Sequence, residues 1–192
     1  MKPRIMPLSL EDTDAQTREQ LGRLISLKGA SPRILNIFGT VAHNPELLHH
    51  WLGFATYLLM ASTLAPRLRE IAILRVGWLC RSPYEWGQHV LVGRRAGLDD
   101  ADFARVARGP AAEGWTAAEA AVLRATDELI GRCTLSDETW ATLTSHLTTQ
   151  QVLDLVFLVG QYRLVSMTLN ALRVERDDGL DATQVLFPPA AD

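Results

Sequence analysis

Cysteine is scarce in this chain of 192 residues: Cys80 and Cys133 are the two present, and they lie far apart in the sequence. Two distant cysteines do not form the dense framework that is typical of small disulfide-stabilised domains. The N-terminal stretch also lacks the apolar segment of a secretory signal peptide. We therefore expect a reducing, cytoplasmic setting.

Strong charge of either sign is missing as well. The net charge is −3, and no basic stripe is interleaved with aromatic residues, so the composition does not favour nucleic acid as a partner. The apolar stretches are too short, or too interrupted by Arg and Gln, to predict a membrane span. Four histidines have no acidic or cysteine partner at the spacing of metal ligands, so we expect no metal site. These are His43, His49, His50 and His146.

No stretch alternates apolar and polar residues with the period of two that is typical of strands. Instead, helix-capping residues recur ahead of apolar segments. The predicted helix starts are Asp14, Ser31, Asn44, Asp99, Thr116, Ser136 and Thr148. This pattern predicts an all-α fold with a single domain at residues 14–176, an extended arm at 1–13 and an irregular tail at 177–192.

The centre of the sequence contains the most apolar of these predicted helices. From Arg69 to the next cysteine nearly every side chain is apolar, which predicts a helix that is buried on all sides. Glu70 and Arg75 interrupt the run, and burial requires that partners hold their charges. In the structural interpretation of Glu70, its partner is Arg67 or Arg75.

A second helix is predicted directly after this one. Ser82 suits the N-cap, Pro83 the first helical position and Glu85 the third, which together predict a capping box. Gly97 suits the position just past the helix end. His89 lies one turn after Glu85 on the same face. Side chains from the two helices can therefore converge on one pocket; they are Glu70, Tyr84, Glu85 and His89.

Part of this region resembles a known family. Glu70, the block YEWGQH at Tyr84–His89 and the AGL at Ala96–Leu98 resemble the carboxymuconolactone decarboxylase family, whose relatives include alkyl hydroperoxidase D-like proteins. The resemblance is specific over residues 66–105 and looser from 45 to 179. It implies an alkyl hydroperoxidase D-like helical bundle that assembles into homo-oligomers, from dimer to hexamer.

The family's peroxidase branch has a glutamate, then a Cys-x-x-Cys pair, then a histidine four residues after the second cysteine. Glu70 and His89 hold the outer positions of that pattern in this chain, whereas Ser82 and Glu85 hold the two cysteine positions. The resemblance therefore implies a member without the redox pair, which performs cofactor-free proton transfer on a small carbonyl, lactone or carboxylate compound. Decarboxylation is the reaction for which the family is named.

Four residues are the candidate catalytic groups under this interpretation: His89, Glu70, Glu85 and Tyr84. Histidine and carboxylate groups can transfer protons near neutral pH, and the tyrosine can donate a hydrogen bond to a substrate oxygen. Each also has a structural interpretation, because Glu70 can form a buried ion pair, Glu85 a helix cap, and His89 and Tyr84 ordinary packing. Arg75, His50 and Tyr162 are candidate substrate-binding residues.

Two other functions remain open from the residues alone. One is a thiol-dependent hydroperoxidase that uses Cys80, although the position of Cys80 in an apolar helix also suits a small buried hydrophobe. The other is a non-catalytic oligomeric protein that binds a small molecule. Self-association is expected in either case, since the apolar helices at 69–80 and 151–172 exceed what one small domain covers.

Overall fold

The structure, a computed structural model, describes residues 2–28, 34–178 and 187. Within these residues the chain forms nine α-helices and one π-helical turn and no strand, which confirms the predicted all-α fold. The helices are α1 (Ala15–Lys28), α2 (Asn36–Val41), α3 (Pro45–Thr56), α4 (Pro66–Leu79), α5 (Pro83–Arg95), α6 (Asp100–Arg108), α7 (Ala117–Arg132), α8 (Asp137–His146) and α9 (Thr149–Leu172). The π-helical turn, Tyr57–Ala61, continues α3.

Helix α4 is the centre of the bundle, as its apolar sequence predicts. Every residue from Glu70 to Gly77 is buried, and α5, α6, α7 and α9 surround the helix. Two apolar clusters meet on it: one is formed with α7, α8 and α9, and the other with α5, α6 and α7. A polar group on α4 is therefore shielded from bulk water, and needs a partner from a neighbouring helix.

Most predicted helix starts are confirmed by their hydrogen bonds. The Asp14, Asn44 and Ser136 side chains each accept from a backbone N–H three residues on. Complete capping boxes form at three further starts, namely Asp99–Asp102, Thr116–Glu119 and Thr148–Gln151. These bonds satisfy N–H groups that have no partner within the helix, and they depend only on residues three apart in the sequence.

The end of α5 also follows the prediction. Gly97 has a φ of +85°, and the Leu98 N–H donates to the Gly93 carbonyl at 2.9 Å, which is the Schellman pattern. Gly93 itself lies in a tight place, because a Cβ there would be 3.0 Å from Leu98 and 3.2 Å from the Phe103 ring. This close approach fixes α5 against α6 and thereby sets the direction of the helix that bears His89.

Two predicted helices differ from the structure. The predicted start at Ser31 lies outside the described residues, and the helix that follows begins only at Asn36, because Ile34 and Leu35 are not helical. The apolar positions Trp51, Phe54, Tyr57 and Leu58 predict that the helix that begins at Pro45 runs on towards Met60. Its last turn is instead a π-helix, a geometry that opens one backbone hydrogen bond and is rare within helices.

One face of α9 is apolar and exposed. Its exposed side chains are Leu153, Val156, Phe157, Leu164 and Met167. Phe54 of α3 extends this surface, since its ring meets Phe157 edge-on at 6.1 Å. Such a surface suits self-association, which stays a prediction.

Among the described residues, α9 alone has the length and hydropathy of a membrane span. The expectation that no apolar stretch is long enough is therefore wrong for α9 by length and composition. Fifty-six per cent of its most apolar window is buried inside the fold, as in the core helix of a globular protein.

Candidate active site

The imidazole of His89 lies between two carboxylates, one at each ring nitrogen. Its Nδ1 is 2.7 Å from Glu70 Oε2 on α4, and its Nε2 is 3.1 Å from Glu85 Oε1 one turn earlier on α5. Glu70 is fully buried, and only 7% of His89 is exposed. A charged imidazole can donate from both nitrogens, so this geometry suits an imidazolium held by two carboxylates.

The electrostatics agree with that protonation state. Burial alone would lower the pKa of His89, but the nearby Glu70 and Glu85 carboxylates outweigh it and raise the pKa from 6.5 to about 9. Burial likewise opposes ionisation of Glu70, yet His89 and Arg69 lower the pKa of that carboxyl below its ordinary value. At neutral pH the site therefore contains a proton donor and carboxylate acceptors in direct contact.

Arg69 is the second cation in contact with Glu70. Its Nε lies 3.1 Å from Glu70 Oε1, the oxygen that His89 does not contact. The prediction that Arg67 or Arg75 pairs with Glu70 is therefore wrong. Adjacent residues on a helix point in different directions, so sequence spacing gave no sign that Arg69 would reach its neighbour.

A cavity of about 350 Å³ opens in front of these groups. Its walls come from α1, α2, α3, the π-helical turn, α4, α5 and α9, and apolar side chains dominate them. Its polar and charged side chains include Arg69, Glu85, Gln88, His89, Arg95, Gln161 and Tyr162. Glu70 lies behind His89 and does not line the cavity. An apolar pocket with a few convergent polar groups is the usual form of a small-molecule site.

Tyr162 was proposed from the sequence, and its ring lies in this cavity, edge-on to the His89 imidazole at 5.0 Å. Burial, together with Glu85 and Glu70, raises the pKa of Tyr162 well above its ordinary value, so the hydroxyl stays protonated. No described residue forms a hydrogen bond with that hydroxyl. Gln161, which the sequence did not suggest as a site residue, lines the cavity next to it. Its one sequence signal is a polar residue within an apolar helix.

Tyr84 also lines the cavity, but its hydroxyl is engaged elsewhere. It donates to Asp177 Oδ2 and accepts from the Ile37 N–H at 3.3 Å. Asp177 further accepts from Gln88 Nε2 at 2.7 Å and from the Asn36 N–H at 2.7 Å. Burial, and then Asp177, raise the pKa of Tyr84. The arrangement joins α2 and the segment after α9 to α5, and leaves the Tyr84 hydroxyl unavailable as the predicted donor to substrate.

The predicted capping box at the start of α5 does not form. Ser82 holds the N-cap position, but its side chain makes no capping hydrogen bond, and its buried hydroxyl has no partner among the described residues. Glu85 turns towards His89 instead. The charge-assisted contact with His89 takes the carboxylate away from the helix start.

The guanidinium of Arg75 is bonded to other parts of the fold, which does not support its proposed role in substrate binding. Its guanidinium forms a bidentate pair with Asp127, at 2.6 and 2.9 Å, and donates to the carbonyls of Val106 and Ala107. Gly109, with a φ of +93°, leaves room for it, because a Cβ there would be 2.7 Å from Arg75 Nη2. Arg75 does not line the cavity, so it neither neutralises Glu70 nor reaches a ligand there.

Two other predicted residues also lie outside the cavity. The His50 side chain is 79% exposed and lies 4.0 Å from Glu46 on the surface, because α3 turns that face to solvent. Cys80 is the C-cap of α4, half-buried against the core. Burial raises the pKa of its thiol, against the opposing effects of Arg163 and Ser166. Neither residue lines the pocket that contains His89.

A metal has no evident place in this site. No group of three or more histidine, cysteine and acidic side chains gathers as metal ligands in the part of the chain that the structure describes. Glu70 and Glu85 also contact opposite nitrogens of one imidazole, so the three side chains do not converge on a common point.

Comparison with solved structures gives the same fold in other proteins. One is described as an alkylhydroperoxidase AhpD core, an uncharacterized peroxidase-related protein from Ralstonia eutropha JMP134, with 16% identity, a TM-score of 0.77, and coverage of 91% of this chain and 95% of that one. A peroxidase-related protein from Silicibacter sp. TM1040 has 16% identity, a TM-score of 0.77, and coverage of 93% and 95%.

A third similar structure is a cysteine-to-alanine variant of the debrominase Bmp8 in complex with 2,3,4-tribromopyrrole. It has 14% identity, a TM-score of 0.78, and coverage of 95% of this chain and 96% of that one. No curated protein matches the sequence. Residues 45–128, which contain Glu70, Glu85 and His89, match the profile of the Carboxymuconolactone decarboxylase family. This segment of the chain is similar to the carboxymuconolactone decarboxylase family, and the fold is the alkylhydroperoxidase D-like helical bundle.

Proposed function

We propose that this protein is a cofactor-free enzyme that transfers a proton on a small organic molecule, with His89 and Glu85 as the groups that face the substrate. The observation that carries the proposal is the contact of one buried imidazole with two carboxylates at the wall of a cavity. Structural ion pairs also perturb pKa values, but this one adjoins space for a ligand.

The three side chains have different roles in this proposal. His89, held charged at neutral pH, is the general acid. Glu85 lines the cavity as a carboxylate and is the general base. Glu70 is a positioning residue, because it is fully buried behind the imidazole and orients it through Nδ1. Its buried position replaces the role expected from the sequence, in which Glu70 itself moves a proton.

Decarboxylation is the reaction that the similarity of residues 45–128 to the carboxymuconolactone decarboxylase family favours. When the bond to the carboxyl carbon breaks, CO₂ leaves and the electron pair passes into a conjugated carbonyl, which becomes an enolate. The Tyr162 hydroxyl can donate a hydrogen bond to that oxygen. His89 then gives its proton to the carbon, and solvent restores it. A related lactone or carbonyl isomerisation uses the same groups, with Glu85 taking a proton from carbon and His89 returning one.

The direct test is turnover of a panel of unsaturated lactone acids and β-keto acids that carry one carboxylate, followed by CO₂ release. Solvent-deuterium incorporation by NMR detects the isomerisation branch. Glu85→Gln and His89→Gln should each lower the rate by about 10²–10⁴, the usual effect of losing a general acid or base. His146→Gln, which changes an exposed histidine on α8, is the matched control and should leave the rate unchanged.

Two results would contradict the proposal. Full activity in both cavity variants would mean that His89 and Glu85 are structural. Tight binding of panel compounds without any turnover would favour the non-catalytic binding protein.

The thiol hydroperoxidase alternative depends on Cys80. A peroxidatic thiol reacts as the thiolate and needs a lowered pKa, whereas burial raises the pKa of this one. Cys133, the other free cysteine, is exposed, and both suit the reducing, cytoplasmic setting that we propose. We expect negligible consumption of hydroperoxides with any dithiol reductant. Rapid consumption that disappears in Cys80→Ser would establish the alternative and overturn the acid/base assignment.

A further inference from the structure

Arg69 has two terminal nitrogens without a partner among the described residues, although only 13% of its side chain is exposed. Its Nε is held by Glu70 Oε1, and the side chain lines the cavity. A guanidinium normally uses its parallel N–H groups to bind a carboxylate or similar oxyanion. Largely shielded donors at the wall of a cavity are therefore available to bind the acceptor oxygens of a ligand.

Two neutral donors lie in the same cavity. The Gln161 residue is only 6% exposed, and its side chain forms no hydrogen bond with any described residue. The Tyr162 hydroxyl is also without a described partner, and it stays protonated because of its raised pKa. Arg69, Gln161 and Tyr162 line the same cavity. Together they provide cationic and neutral donors for oxygen atoms.

The remainder of the cavity excludes a ligand that is polar throughout. Most of the other lining side chains are apolar, and they include Ile34, Ile37, Phe38, Trp51, Leu59 and Val165. Placing a second carboxylate or several hydroxyls against them would leave polar groups without hydrogen bonds. A volume of about 350 Å³ is in the range that holds an organic molecule with a ring or a branched chain.

From these contacts we propose an anion subsite at Arg69 that selects a monocarboxylate or enolate oxygen on a compound with an apolar ring or alkyl body. Glu70 is the link between this subsite and the proton-transfer groups, because its two oxygens contact Arg69 Nε and His89 Nδ1. One carboxylate thus sets the distance between the bound anion and the imidazolium. The proposal rests on the proposed function, since it describes the substrate of that same reaction.

The test is ligand binding, so that it does not depend on turnover. The probes are 3-phenylpropanoate and 3-phenylpropanamide, which differ in charge at one end, titrated into the full-length protein by calorimetry. The carboxylate should bind about 10- to 100-fold more tightly, as expected for a charge-assisted pair in a shielded site. Arg69→Gln should remove this preference and leave amide binding nearly unchanged. Arg69→Lys, which keeps the charge without the fork, should restore part of it.

Matched variants separate a subsite at Arg69 from a general attraction of anions to the basic end of α5. Arg94→Gln removes a neighbouring cation that pairs with Asp100 outside the cavity and should leave the preference intact. Equal binding of both probes to the wild type would overturn the subsite. So would a preference that survives Arg69→Gln, or one that disappears in Arg95→Gln at the exposed edge of the cavity.

The subsite and the proposed function can fail separately. In Glu85→Gln the rate should fall by about 10²–10⁴ while the carboxylate preference remains, and that result supports both. A preference that depends on Arg69 in a protein without any turnover supports the subsite and counts against the enzyme. Turnover in a protein that shows no carboxylate preference supports the enzyme and counts against the subsite.

Discussion

Two groups of charged residues include side chains of α4, and they differ in whether their donors have partners among the described residues. Near its start, Arg67 donates to Asp102, to Glu119 and to the Gly97 carbonyl. Those two acids also complete the capping boxes of α6 and α7. On the cavity side, Glu70 contacts Arg69 and His89, while the terminal nitrogens of Arg69 have no partner among the described residues.

This difference distinguishes charged groups that stabilise the fold from charged groups that can act on a ligand. Both groups contain buried carboxylates with perturbed pKa values. Burial opposes ionisation of Asp102 and Glu119, but hydrogen bonds from Arg67 to both, from Arg105 to Asp102 and from Thr116 to Glu119 outweigh it and lower the pKa of each. By that criterion alone the two are indistinguishable. The Arg67 group joins three helices and makes its hydrogen bonds within the protein. The His89 group adjoins a cavity and has donors left for a ligand.

The largest stability effect should come from the structural group. Arg67→Met keeps much of the side-chain volume but leaves Asp102 and Glu119 without their shared cation. We expect the free energy of unfolding to fall by about 3 kcal/mol, as measured by urea denaturation. This is the lower end of the usual cost of breaking a buried pair from one side, because Arg67 is 35% exposed and Asp102 keeps Arg105. Glu85→Gln should change it far less while lowering the rate. Similar losses in the two variants would mean that both groups are structural.

The pH dependence of stability should come from His89. Its folded pKa of about 9 exceeds the ordinary 6.5, so its contribution is complete below about pH 6.5 and is lost as the pH rises through 9. The full difference corresponds to about 3 kcal/mol. The lowered pKa of Glu70 acts at the other end, where its contribution is lost as the pH falls below 4.5.

Urea denaturation midpoints measured from pH 4 to pH 10 test whether stability falls as the pH rises through 9. The Arg67 group contains carboxylates with lowered pKa values, which affect the acid limb alone. His89→Gln should therefore flatten the fall between pH 6.5 and 9, whereas Arg67→Met should leave its shape unchanged. An alkaline fall that persists in His89→Gln would assign the titration to another residue.

The smallest expected effect is at Ser82. A serine that caps a helix normally contributes about 0.5–2 kcal/mol, but this hydroxyl makes no capping bond. Ser82→Ala should therefore change the free energy of unfolding by less than about 0.5 kcal/mol. Thr116→Ala, at a complete capping box, is the control and should cost the usual amount. Equal losses at both positions would show that Ser82 caps α5 after all.

Local signals in the sequence were sufficient for most of the helix starts and for the end of α5. Caps such as Asp99 and Thr148 bond to residues three positions on, and the turn at Gly97 needs a positive φ, so both follow from short-range chemistry. The same reasoning was wrong at Ser82, where His89 competes for the Glu85 carboxylate. A local pattern cannot include a partner that belongs to the folded site.

For the site, the sequence by itself determined that Glu70, on an apolar helix, needs a partner, and its resemblance to a family pointed to His89. Only the tertiary structure decided which cation completes the pair, because Arg67, Arg69 and Arg75 lie on one helix and face different neighbours. It also placed Tyr84 against Asp177, and Gln161 and Tyr162 in the cavity. These contacts join residues that are 93 and 73 positions apart, as with Tyr84–Asp177 and His89–Tyr162, and they depend on how whole helices pack rather than on any local preference.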